Sequence, residues 1–164
     1  MAVGRIISLS LLGSSLWSKA CVRGTGVWQA RRTMSDEVNK AKEAAGGAGA
    51  KSEPTIFDHI LSGKIPADIV YEDEKCMAFR DVAPQAPKHI LLIPRIRIPT
   101  LDDATWEHAP LLGHLMVTAK EIAAKEGLDK GYRIVINNGV EGSQSVYHLH
   151  IHIIGGRQMG WPPG

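Results

Sequence analysis

An α+β fold, one five-stranded antiparallel sheet backed by one long and one short helix, is what three features of the 164-residue sequence predict. Brief strand-like runs recur between residues 69 and 154 with hairpin-length connections, which favour antiparallel pairing. A single stretch, residues 107–127, keeps its apolar residues at helical spacing. The composition, 44% hydrophobic and 22% charged, is that of a globular chain with enough apolar surface to offset the entropy of ordering it.

The elements follow in order. Thr55-Ile-Phe-Asp-His-Ile-Leu places Ile56, Phe57, Ile60 and Leu61 at helical spacing, with Thr55 as cap and Gly63 as stop. Ile69 to Glu72 and Cys76 to Asp81 are strand-like runs separated by Asp73-Glu74-Lys75, the shape of a hairpin. Pro84 and Pro87 forbid regular structure until His89-Ile-Leu-Leu-Ile, a buried strand stopped by Pro94. Between Glu107 and Gly127, Leu111, Leu112, Leu115, Met116, Ala119, Ile122 and Ala123 form the helical stripe; Pro110 suits its first turn and Gly127 its end. Tyr132 to Asn137 and Ser145 to Ile154 are the last strands, joined by the Gly-rich segment Asn138-Gly-Val-Glu-Gly-Ser. The chain contains no internal repeat, G-x-G-x-x-G or Walker loop.

Charge is spread unevenly. Residues 1–35 hold Arg5, Lys19, Arg23, Arg31 and Arg32 and no acid, which leaves the rest with 14 bases against 17 acids. A mildly acidic body has no generic attraction for nucleic acid. The basic start, with Ile6, Ile7, Leu9, Leu11, Leu12 and Leu16, reads as a mitochondrial transit peptide over 1–33. A secretory signal is the rival reading, but Ser and Gly dilute the apolar run and Arg follows it. Initiation at Met34, before Ser-Asp-Glu-Val, would instead give a cytosolic product. Residues 34–53 are rich in Ala, Gly and Lys and read as a short helix at best within a flexible linker; the folded domain is expected over 54–164. No stretch reaches the roughly 18 apolar residues that would span a bilayer. Two cysteines, Cys21 and Cys76, exclude a disulfide-stapled scaffold.

The chemistry is concentrated in His148-Leu-His-Ile-His-Ile-Ile. On a strand, His148, His150 and His152 would share one face while Leu149, Ile151 and Ile153 fill the core behind them. Such a row supports nucleophilic attack by a neutral imidazole, with its neighbours orienting it and stabilising developing negative charge. Zinc is the competing use of a His-x-His pair. Zinc-bound His generally leans on a carboxylate, and no acid lies between Ser143 and Gly164. Gly142-Ser-Gln-Ser145 meanwhile offers backbone N–H groups and a hydroxyl suited to phosphate.

The segment resembles the signature of the histidine triad (HIT) superfamily of nucleotide hydrolases and transferases. Its flanks, Gly142-Ser-Gln-Ser-Val-Tyr-His and Gly155-Gly-Arg-Gln-Met-Gly-Trp-Pro-Pro-Gly164, with Phe79-Arg-Asp-Val-Ala-Pro-Gln-Ala-Pro-Lys-His-Ile-Leu-Leu-Ile-Pro94, resemble the Hint branch over residues 54–164. The resemblance implies a HIT-like fold and hydrolysis of purine nucleoside phosphoramidates to AMP or GMP, without cofactor or metal. His150 matches the nucleophile, Ser145 and His152 the residues that assist the leaving group and phosphoryl oxygens, and His148 and His89 supporting members. Asp81, beside Val82, matches the ribose contact, and a carboxylate is suited to accept two hydroxyl hydrogens. Asn137, Ser143, Gln144 and Ser145 match positions around phosphate and ribose, as do Ile151 and its flanking histidines. Ile65 and Phe79 match the walls around the base. The resemblance also implies a homodimer whose sheets pair across a two-fold axis. Ser143 departs from the Gly or Ala common in related sequences, and Gly160 replaces a bulkier residue. A pocket used only for sensing nucleotide is the alternative function.

Overall fold

Asp73 turns the chain between the first two strands by accepting the backbone N–H groups of Lys75 and Cys76 on Oδ1, each at 2.7 Å. The hairpin so formed joins β1 (Ile69–Glu72) to β2 (Cys76–Arg80). With β3 (Lys88–Pro94), β4 (Tyr132–Val135) and β5 (Ile151–Gly155) it completes an antiparallel sheet in the order β1-β2-β3-β5-β4. The computed structural model describes residues 35–45 and 53–163, so the expected leader over 1–33 lies outside the described residues.

Alternation of side chains divides the sheet into two different faces. Cys76, Ala78, Ile90, Leu92, Ile151 and Ile153 point to one side, where α3 (Ala109–Lys125) lays Leu115, Ala119, Ile122 and Ala123 over them. Their spacing is the apolar stripe of an amphipathic helix. The helix is shorter than the expected 107–127, because residues 106–108 form a tighter 3-10 turn before Pro110 opens α3. Gly127 ends it at φ +71°, a conformation glycine adopts without Cβ strain.

The other face carries a row in register: Phe79 opposite Leu91, Leu91 opposite His152, and His152 opposite Val135. A short helix, α2 (Ile56–Leu61), covers one end of this face with the buried Phe57. Thr55 caps it, as the sequence predicts, and Asp58 caps it in return by accepting the Thr55 backbone N–H. One face is therefore sealed by α3, whereas the other has room for a ligand.

Two expectations change. The last strand begins at Ile151 rather than Ser145. Its ladder with β3 ends at the pair Leu92–Ile151; two residues further on stands Pro94, which has no N–H to donate. Residues 145–150 approach along other bonds, with Leu149 N–H donating to Ile98 O at 2.6 Å. Second, the short helix allowed within the 34–53 linker is α1 (Ser35–Ala45), and it is seated on the fold, with Ala41 fully buried. The remaining linker residues, 46–52, lie outside the described residues.

The Gly-rich loop holds its shape through Gln144, whose side chain is fully buried. Its amide accepts Gly139 N–H at 3.0 Å and donates to Pro99 O at 2.7 Å and Val146 O at 3.0 Å. Ser143 sits at φ +60°, which accounts physically for a preference for Gly at that position. A Cβ on Gly142 would collide with the backbone oxygen and nitrogen of Asn138. Gly142→Ala is accordingly expected to cost about 1–3 kcal/mol, read as a lower urea midpoint at unchanged slope.

Candidate active site

The row on the open sheet face, α2, the loop end and α1 together enclose a cavity of about 1200 Å³. Its lining includes His89, His150, His152, Ser145, Asp81, Val82, Asn137, Ile65 and Phe79, all expected from the sequence. Four other expected residues do not line it. Gln144 is spent on the loop, Ile151 is 1% exposed in the α3-side core, and neither Ser143 nor His148 borders the cavity.

His148 nevertheless sets the chemistry of its neighbour. Its Nε2–H donates to Pro94 O at 2.9 Å, while its own carbonyl accepts a hydrogen bond from His150 Nδ1 at 2.7 Å. A carbonyl only accepts, so Nδ1 of His150 must carry the proton and Nε2 is left with a lone pair. Phe57 packs edge-on against the His150 ring, with centroids 5.2 Å apart. Burial pulls the His150 imidazole below its ordinary pKa and keeps it neutral, as a nucleophile requires.

A second chain of bonds defines the other rings. Gln85 N–H donates to His89 Nδ1 at 3.2 Å, and His89 Nε2 lies 2.9 Å from His152 Nδ1. If His89 is neutral, its remaining proton is on Nε2 and is donated to His152. The proton of neutral His152 then resides on Nε2, a buried atom with no hydrogen-bond partner. Burial, with the adjacent His150 and His89, pushes His152 down to about 3; burial also lowers His89, against the pull of Asp81. His152 thus presents an unspent N–H about one ring away from His150, with centroids 5.0 Å apart. An imidazole lone pair beside an unpaired donor is the arrangement for attacking phosphorus while stabilising a phosphoryl oxygen.

Asp81 directly follows β2; its Oδ1 accepts Ala83 N–H at 2.7 Å and its Oδ2 lies 3.4 Å from His89 Nδ1. A carboxylate therefore does reach the histidines, from a strand that the local sequence around them could not reveal. Asp81, His89 and His152 have donor atoms within 4.8 Å of one another. In this arrangement the His89 and His152 nitrogens share a hydrogen bond at 2.9 Å, and a metal ion held by both would displace that proton. A further group, Asp73, Cys76 and His114, has the same compactness. Its carboxylate accepts from His114 Nε2 at 2.7 Å and from the Tyr71 hydroxyl at 2.9 Å, tying α3 to the hairpin.

Sequence reasoning missed Phe57 as a wall of the nucleophile, Gln85 as the group that orients His89, and the contribution of α1. Glu37 and Lys40 of α1 line the cavity together with Ser145. The capped, apolar spacing of α2 already marked Phe57 as buried, whereas nothing local marks what α1 packs against.

The depressed histidines imply a pH dependence of stability. Burial lowers His148, His150 and His152 in the folded state, whereas unfolded histidine titrates near pH ~6.5. Below that pH the unfolded chain binds more protons than the folded one, so stability falls on acidification. The urea midpoint is expected to drop between pH 7.5 and pH 5, above the main carboxylate range; a flat midpoint would contradict the burial of neutral rings.

The model of the HIT domain matches residues 62–159. The chain is 56% identical over 125 residues to an adenylylsulfatase, HINT1, of Arabidopsis thaliana, covering 75% of this chain and 85% of that one. It is 56% identical over 113 residues to a 14 kDa zinc-binding protein of Zea mays, covering 68% and 88% respectively. The crystal structure of a HIT family hydrolase from Legionella pneumophila superposes with a TM-score of 0.67 at 47% identity, covering 68% of this chain and all of that one. The histidine row, the sheet that presents it and these hydrolase relatives agree: the chain belongs to the HIT domain family, in its Hint branch.

Proposed function

We propose that the protein is a purine nucleoside phosphoramidase, cleaving the P–N bond of adenosine or guanosine 5′-monophosphoramidates. The observation that carries this reading is His150, whose Nδ1 proton is committed to the His148 carbonyl so that Nε2 is the attacking atom. In the first step Nε2 forms a bond to the α-phosphorus and the P–N bond breaks. The amine leaves with the bonding electron pair and a proton taken up from solvent, and His152 Nε2–H supports a phosphoryl oxygen. In the second step water attacks phosphorus and gives up a proton to solvent, the P–Nε2 bond breaks, and nucleoside monophosphate is released with the neutral imidazole restored. Asp81 is suited to accept the ribose hydroxyls, and the apolar Ile65 and Phe79 to flank the base.

The active form in this reading is a homodimer. It is supported by the open edge of β4 and by the outer side of α3, where Val117 is 60% and Met116 45% exposed. The basic start of the chain supports a mitochondrial location.

The test is hydrolysis of adenosine 5′-phosphoramidate by the chain in excess chelator, with AMP as the product measured. Undiminished turnover in chelator is expected. Tight AMP binding without turnover, at one enzyme per substrate, would replace the reading by a nucleotide sensor. Activity that disappears with chelator and returns with zinc would replace it by metal-assisted hydrolysis.

A further inference from the structure

One wall of the cavity comes from α1, outside the residues matched by the HIT domain model. The helix is seated by Ala41, which has no exposed surface, and it brings Glu37, Lys40, Glu43 and Ala44 to the cavity. Glu37 lines the same cavity as Ser145, His150 and His89, and its charge raises both histidines against the larger, opposing effect of burial. Lys40 pairs with Glu37 at 2.8 Å, so Glu37, Lys40 and Glu43 together bring a formal charge of −1 to this wall.

We propose that Glu37 is a specificity-determining residue which, from the cavity wall it shares with Ser145, selects amine leaving groups over anionic ones. The inference rests on the phosphoramidase reading, in which Ser145 lies on the leaving-group side of the phosphorus. An amine departs neutral or, once protonated, positive, so a carboxylate beside it is tolerated or favourable. Sulfate departs as an anion and gathers negative charge as its bond to phosphorus breaks; a fixed carboxylate raises the energy of that step. The same nucleophile thus has different access to two substrate classes, set by a helix that is not part of the catalytic sheet.

The experiment compares kcat/KM for adenosine 5′-phosphoramidate and adenylylsulfate in wild type, Glu37→Gln and Ala41→Glu, all in the full chain. Glu37→Gln removes the charge while keeping the shape; Ala41→Glu places a charge where α1 is buried and so displaces the helix. Both variants are expected to raise the adenylylsulfate to phosphoramidate ratio on the order of tenfold, the size of one screened charge interaction at a few ångströms. Equal gains on both substrates would make α1 a general obstruction and overturn the proposal. An unchanged ratio in Glu37→Gln would overturn it too. Should wild type hydrolyse neither compound, the phosphoramidase reading fails separately. The charge of Glu37 is then read from binding: Glu37→Gln should tighten AMP relative to adenosine, and an unchanged ratio would remove Glu37 from the phosphate side.

Discussion

His150→Ala is expected to reduce turnover of adenosine 5′-phosphoramidate on the order of 10⁴-fold or more, because it removes the atom that forms the covalent bond. Loss of a nucleophile differs from loss of a binding contact in that raising the substrate concentration does not recover the rate. The residue is not a bystander of the fold, since its ring is 4% exposed and packs edge-on against Phe57. Truncation leaves a void there and is expected to cost about 1–3 kcal/mol. His150→Asn is the companion variant: it fills more of the void and retains a polar group, yet has no ring nitrogen to attack phosphorus. Both variants should keep a cooperative urea transition while losing turnover. Near-normal hydrolysis by either folded variant would show that another group attacks.

How much of this was legible in the sequence depends on the range of the interaction concerned. Turn residues, caps and the alternation of apolar side chains act within a few positions, so α2, the β1–β2 hairpin and the α3 stripe are readable from local pattern. The histidine row was readable for the same reason, although His148 and His150 precede β5 instead of lying in it. What placed His148 outside the cavity is a bond from its ring to Pro94, 54 residues away. Likewise the carboxylate near the histidines is Asp81, directly after another strand, so a search of the His segment for acids found none. Gln144 illustrates a second limit: a polar residue beside a phosphate-binding turn looks like a ligand contact until its amide is seen spent on Gly139, Pro99 and Val146. Low-complexity composition left the seat of α1 unread, because Ala and Lys specify a helix without specifying what it packs against.

His152→Ala is expected to lower kcat by about 10²–10³-fold, the usual consequence of removing one oriented donor to an oxyanion. The decisive part of this prediction concerns His89, which lines the cavity and also donates through Nε2 to His152 Nδ1. With His89 in place, the N–H of neutral His152 faces outward from Nε2, the buried atom without a partner. Without His89, His152 can place its proton on either nitrogen, and part of the population presents a lone pair, not a donor, to the phosphoryl oxygen. His89→Ala is therefore expected to slow kcat, by less than His152→Ala. If His89 acts through His152, adding it to His152→Ala should cause little further loss, so the double variant resembles His152→Ala. Independent roles would instead make the losses multiply. A multiplicative double-mutant cycle, with all three variants folded, would break the relay from Gln85 through His89 and leave the donor at His152 oriented by packing alone.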